Sequence, residues 1–391
     1  MKEDIQKIRS VAKEGSEAYF ARQMELLKTF SAIDCGTGNI AGNEKVVQIV
    51  LTLLKELGAT CECIHSPDVG THVVGRLNAG GKGKIIVNAH LDTVFDLGQT
   101  KKHPFRIEGD WAYGLGLADC KGGVVTAIFA LKIMQEAGYL PNKEMVMIFN
   151  CDEEIGSPTG RAIFREESKG AECAFVFEPA RNQNGIITKR RGQALCSIKV
   201  TGKEAHAALN PDGGCSATLE LAHKVIALEQ MKKPKDAIHY VVGRMSGGKT
   251  SLAVADRAWA EAAVSLKSEQ SILQVEADME QLEKNVKVDG CSTATNIDVI
   301  FPPMERTSGN VALYALAKEA GEMMQLDLPE EFAAGPSDAC YFSSFGVPTI
   351  DALGPYMKDI HTVQEAMYLP SLRKRTQLFC MILACIMKGE Q

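Results

Sequence analysis

No run of apolar residues in the 391-residue chain approaches the length of a membrane span. The amino-terminal stretch "MKEDIQKIRSVAKEGSEAYF" is charged and amphipathic and lacks the apolar centre of a secretory leader. A cytoplasmic protein without a membrane partner is therefore expected. Long blocks of like charge are missing as well. The densest basic cluster, "KRR" at 189–191, is too short for a nucleic-acid stripe, and the net charge of -6 is mildly acidic, so no nucleic-acid partner is expected. The twelve cysteines include no C-x-x-C pair. Cys173, Cys196, Cys380 and Cys385 sit inside apolar runs, which reads as buried thiols in a reducing compartment. Internal repeats and low-complexity segments are also absent.

The length suits two domains. "KIIVNAHL" (84–91), "MVMIFN" (145–150) and "AFVF" (174–177) are short, nearly continuous apolar runs, as strands buried on both faces of a largely parallel sheet would be. Helical periodicity at 43–58, 122–138 and 157–170 alternates with them, and each stretch closes on a glycine. The fold class is α/β. From about Gly192 the order becomes β-α-β-β-α-β, which predicts an inserted two-layer domain. The expected division is 1–190 and 303–391 for the main domain and 191–302 for the insert.

One stretch, "GRMSGGKT" (243–250), matches the phosphate-loop pattern at every fixed position and raises a phosphate-loop ATPase as an alternative. Its setting argues against that. Such a loop must open a helix, but Trp259, Glu261, Ala263 and Ser265 alternate with an apolar side, which favours a strand although the many alanines leave a helix open.

Charged groups gather where the apolar runs end. His90 and Asp92 close the first, Asp152, Glu153 and Glu154 the second, and Glu178 the third. Asp119 precedes a glycine pair, and His361 comes late in the chain. In open α/β sheets the site lies at the carboxyl ends of the strands. So many acids would repel unless cations neutralise them. Imidazole with carboxylate suits zinc, with cobalt or manganese as options, and two metals sharing one carboxylate would use this many acids. One acid must stay free as general base.

"NAHLDTV", "GLGLADCKGG", "NCDEEIGS", "FEPA", "GKEAHA" and "GPSDACYF…GVPTIDALGP…DIHT" occur in the order that resembles the dizinc metallopeptidase family of bacterial glutamate carboxypeptidase. Its relatives include succinyl-diaminopimelate desuccinylase, acetylornithine deacetylase and aminoacylase. The resemblance spans nearly the whole chain. It implies a zinc-hydrolase catalytic domain and an insert serving as lid and dimerisation domain. It also implies that His90 and Glu178 hold one zinc and Glu154 and His361 the other, with Asp119 bridging. Asp92 would orient His90, and Glu153 would be the base. The peptide bond after Asp119 would be cis. His206, in "GKEAHA", would reach the partner subunit's site in a homodimer and stabilise the oxyanion. The implied substrate is a small peptide or an N-acyl amino acid, cleaved carboxypeptidase-like, with N-acyl amino acid deacylase or desuccinylase as the alternative.

This chain departs from glutamate-releasing relatives. Leu252, Ser265 and Pro302 stand where the resemblance calls for polar groups that clamp the substrate carboxylate. Arg191 and Arg306 are the candidates for a different clamp, with Lys267 a further option.

Overall fold

A computed structural model describes residues 2–181, 184–233 and 238–389. The chain divides into two compact units, one of residues 1–189, 306–333 and 337–391, the other of 190–305 and 334–336.

The larger unit is built on a six-stranded mixed sheet. In spatial order its strands are Thr60–Ser66, Gly70–Leu77, Glu144–Asn150, Lys84–His90, Ala171–Val176 and Thr349–Ile350. Lys84–His90 runs parallel to both its neighbours, and Thr349–Ile350 runs parallel to Ala171–Val176. The hairpin Thr60–Leu77 adds the antiparallel edge. The central strands are buried along almost their whole length, which is why their sequences are continuous apolar runs rather than alternating ones.

Helices Lys2–Phe30, Gly123–Glu136 and Leu369–Gly389 pack on one another and share one core with the sheet. Phe379 sets its ring edge-on to Phe175 and Phe177, with centroids 5.3 and 4.9 Å away. A fully buried ring of this kind contributes about 1.5–3 kcal/mol. Helix Ile40–Glu56 starts where Asn39 accepts the Gly42 N–H, and Ser308–Met323 where Thr307 accepts that of Asn310.

The smaller unit follows the β-α-β-β-α-β order. Gly192–Thr201, Ala217–Gln230, Tyr240–Gly247, Arg257–Leu266, Glu269–Lys284 and Ser292–Phe301 succeed one another. Its four strands form an antiparallel sheet in which Gly192–Thr201 lies between Arg257–Leu266 and Ser292–Phe301. Arg257–Leu266 buries every second residue, as its period-two pattern requires. Lys224 ties the two helices together. Its buried Nζ donates to the carbonyls of Leu282 and Asn285, each at 2.6 Å, where the second helix runs out of partners. The "GRMSGGKT" stretch runs from within strand Tyr240–Gly247 into the turn after it and opens no helix. Lys249 is salt-bridged to Glu204 and Asp256, each at 3.1 Å.

Among the described residues, no helix is long and apolar enough to cross a membrane.

Candidate metal centre

Parallel pairing brings the strand ends to one edge of the sheet. His90 is level with Asn150, and Asn88 with Val176. The residues that follow, Asp92, Asp152–Glu154 and Glu178, therefore emerge side by side. Asp119 arrives from the kinked turn Leu117–Gly122, and His361 from the segment between the short strands Met357–Lys358 and Ala366–Tyr368. The Asp119–Cys120 peptide bond is cis.

Asp119 sits between two groups. Its Oδ1 is 3.0 Å from His90 Nε2 and its Oδ2 is 3.1 Å from His361 Nε2. Glu178 Oε1 lies 3.6 Å from the same nitrogen of His90, and Glu154 Oε2 lies 3.4 Å from that of His361. The ligand atoms of His90, Asp119, Cys120 and Glu178 all fall within 4.8 Å of one another, as do those of Asp119, Glu154 and His361. Cys120 is the member no sequence pattern pointed to. Its thiol donates to the Phe177 carbonyl at 3.0 Å.

The electrostatics fit two divalent cations. Burial, and then the charge of Asp119, push the Glu154 carboxyl up to about 8. Burial, and then Glu178, raise Glu153 well above the carboxylate range. Crowded buried acids without a counter-charge behave this way, and cations between them reverse the effect. The donor set of imidazole and carboxylate, with one carboxylate offering an oxygen to each side, suits a pair of borderline ions such as zinc.

Supporting groups hold the candidate ligands in place. His90 Nδ1 lies 3.3 Å from Asp92 Oδ1. The Asp92 carboxylate also accepts the N–H groups of Glu153 and Glu154, both at 3.2 Å, and the Thr37 hydroxyl at 2.5 Å. Lys121, fully buried, donates to the Leu91 carbonyl at 2.5 Å. Glu365 and Asp338 are buried acids of the same unit. Sequence reasoning assigned neither them nor Lys121 a role. Only Lys121, a charge at the mouth of the apolar helix Gly123–Glu136, gave any signal.

The other candidates lie elsewhere. His206 is in the smaller unit, exposed, on the two-residue strand Ala205–His206. Its Nδ1 accepts the N–H groups of Ala208 and Leu209, each at 3.2 Å. Arg191, with Gln193, His239, Ser265 and Gly335, lines a cavity of about 440 Å³ in that unit. Arg306 is in the larger unit, where its Nε and Nη2 reach the two carboxylate oxygens of Glu330 at 2.6 and 2.9 Å. A substrate carboxylate would have to compete with that pair.

Asp119 between the His90–Glu178 and His361–Glu154 pairs, at the carboxyl edge of an α/β sheet, is an arrangement suited to a metal-dependent amide hydrolase. Residues 86–384 match Peptidase family M20/M25/M40, and the chain belongs to that family. It is 28% identical to carboxypeptidase G2 of Pseudomonas sp. (strain RS-16) over 338 residues, covering 85% of this chain and 81% of that one. In fold it is similar to aminopeptidase PepT from Bacillus cereus, with a TM-score of 0.75 and 20% identity over 94% of this chain and 98% of that one. It is also similar to the Bacillus subtilis YxeP protein, described as a dinuclear metal binding peptidase from M20 family. That likeness has a TM-score of 0.70 and 14% identity, and covers 95% and 99% of the two chains.

Proposed function

We propose that the chain hydrolyses the amide or peptide bond of a small peptide or an N-acyl amino acid, carboxypeptidase-like, with two zinc ions. Cobalt or manganese would serve in their place. The observation that carries this reading is Asp119, which offers one oxygen to the His90 side and the other to the His361 side at 3.0 and 3.1 Å. His90 and Glu178 would hold one ion, Glu154 and His361 the other, and Asp119 both. Bound there, the ions would acidify a water and polarise the amide carbonyl.

The remaining work falls to the chain's own groups. Glu153 accepts a proton from the attacking water and passes it to the leaving amine nitrogen. Asp92 aligns His90 through Nδ1 and, by accepting the Glu153 N–H, sets the base relative to the ligand. In His206 two N–H groups point at Nδ1, so the ring proton is on Nε2, and this N–H donates to the oxyanion. We assign that donation to the partner's site in a homodimer formed through residues 191–302, which act as the lid. Arg191 supplies the contact to the substrate carboxylate. With Leu252, Ser265 and Pro302 in place of polar groups, glutamate is not the preferred released residue.

Metal analysis of the purified protein, then ninhydrin detection of amino acids released from dipeptides and N-acyl amino acids, tests the proposal. Two ions per chain and release from at least one compound class are expected. Failure of the zinc-, cobalt- and manganese-loaded protein to release any amino acid from the panel would overturn it.

A further inference from the structure

Behind the turn that carries Glu153 and Glu154 stands an acid with no part in the chemistry above. Asp338 precedes the short helix Ala339–Ser344 and is 1% exposed. Its Oδ2 accepts the Asn150 side-chain N–H at 2.8 Å, and its Oδ1 accepts the Ser157 hydroxyl at 2.5 Å. Three residues on, the Tyr341 hydroxyl donates to the Gly156 carbonyl at 2.8 Å. Asn150 is the last residue of its strand, and Ser157 lies just beyond the single helical turn Glu153–Ile155. One short segment thus grips the 150–157 loop at both ends.

Three features make this more than a core tie. First, Ser157 has φ +49, in the left-handed region that non-glycine residues seldom adopt. Such a conformation persists only where its surroundings over-determine it. Here the hydroxyl bond to Asp338 and the Ser157 N–H to the Asp152 carbonyl, at 2.8 Å, do so. Second, the helix after Asp338 is anchored independently. The rings of Tyr341 and Phe342 pack at a tilt against Phe164, with centroids 5.8 and 5.0 Å away. Third, the Asp92 carboxylate holds the Glu153 and Glu154 N–H groups of the same loop. The loop is clamped between two aspartates, and the Glu153 side chain takes its place from the loop.

We propose that Asp338 is a positioning residue for the hydrolysis, acting through Ser157 and Asn150 to hold the Glu153 carboxylate where it meets the attacking water. This rests on the assignment of Glu153 as the base. A displacement of the order of 1 Å at a reacting group costs about 100-fold in rate, so a loosened loop should be visible in kcat before it is visible in stability.

The experiment uses the full chain with Asp338→Asn, Ser157→Ala, the double variant and Glu153→Gln. Asp338→Asn keeps the shape of the side chain and one acceptor. It is expected to lower kcat about 10- to 100-fold with KM within about twofold of wild type. The double variant should be no slower than Asp338→Asn alone, because both substitutions cut one connection. In metal-free protein, backbone amides 153–157 should exchange faster in Asp338→Asn than in wild type, while amides of helix 123–136 stay unchanged. Unaltered kcat with a lowered melting temperature would overturn the proposal and make Asp338 a stability residue. So would multiplicative losses in the double variant. If Glu153→Gln stays active, the base assignment falls on its own. If Glu153→Gln is inactive while Asp338→Asn matches wild type in rate and in exchange, the base stands and the positioning role falls.

Discussion

The carboxylate of Glu365 accepts the backbone N–H of Asp119 at 3.1 Å. It also takes the N–H groups of Ala118 at 2.7 Å and Gly116 at 2.9 Å, so one buried side chain satisfies three donors of the turn that carries the shared aspartate. Glu365 lies four residues after His361. The segment bearing one imidazole is therefore latched to the turn bearing the acid that this imidazole faces.

Glu365→Gln should accordingly loosen both metals. A glutamine keeps one acceptor oxygen but turns an amide N–H toward a backbone N–H. Groups that orient metal ligands are worth about 10- to 100-fold in affinity, and a loss of that size is expected in competition with a chelator. A lowered melting temperature with unchanged metal affinity would show that the latch serves the fold alone.

Glu153→Ala should keep both ions and lose most turnover. General acid–base help is worth about 100- to 10,000-fold, and neither group of clustered ligand atoms includes Glu153. Metal content by elemental analysis, set against kcat, checks this. Loss of one ion per chain, with normal turnover in the fraction still fully loaded, would exchange the roles of Glu153 and Glu154.

Much of this arrangement was legible in the sequence, because strands buried on both faces leave continuous apolar runs and their ends are marked by charge. Lys84–His90 and Glu144–Asn150 are such cases. The strand Thr60–Ser66 was not legible. It is an edge strand with mostly exposed or half-buried residues and little apolar signal. The small sheet built from Arg106–Glu108, Trp111–Tyr113, Met357–Lys358 and Ala366–Tyr368 consists of pieces too short to show any period. Asp338 and Glu365 were silent for another reason. Each meets loop donors almost 190 or 250 residues away in sequence, and periodicity says nothing about which distant N–H a buried acid will find. The same holds for Ala334–Pro336, which groups with the smaller unit although it follows the return of the chain to the larger one.

Acid stability should depend on Glu167. Burial alone would raise its carboxyl, but the Arg76 guanidinium, at 2.5 and 3.0 Å, outweighs that and holds it below the usual range. A carboxyl lowered in the folded state adds stability above its unfolded value of about 4.3. That contribution fades as the pH falls through the folded value. Glu167→Gln should cost about 1.5–3 kcal/mol at neutral pH, and the gap to wild type should narrow as the pH falls below about 4. Melting curves from pH 3 to 7 measure it, and a gap independent of pH would remove the charge from the explanation.

C-terminal glutamate should not be strongly preferred. Leu252 is 71% exposed, Ser265 lines the Arg191 cavity, and Pro302 has no side-chain donor. A charge-assisted contact is worth about 1.5–3 kcal/mol, so the lost clamp should remove about 10- to 100-fold of any glutamyl preference. The ratio of kcat/KM for glutamyl against alanyl and leucyl substrates is the measurement. A ratio above about 100 would mean that Arg191 or another cation has restored the clamp.

If His206 works across a dimer, two inactive variants should repair each other when mixed. Glu153→Ala has an intact His206, and His206→Ala has an intact base and metal centre. Each homodimer lacks one of the two groups at both sites. In a mixed dimer, the site with the intact Glu153 receives the partner's intact His206, and the other site lacks both. Random exchange makes about half the dimers mixed, each with one working site, so recovery of about a quarter of wild-type activity is expected. The tautomer sharpens the test. With Nδ1 occupied by the Ala208 and Leu209 N–H groups, Nε2 is the nitrogen that must donate. His206→Gln, whose amide N–H can approach the Nε2 position, should therefore retain more activity than His206→Ala. Its losses should fall in kcat more than in KM, as for a donor that meets the oxyanion only in the transition state. Exchange of subunits is verified separately with differently tagged chains. Proven exchange without recovery would place His206 in its own subunit's site or outside catalysis.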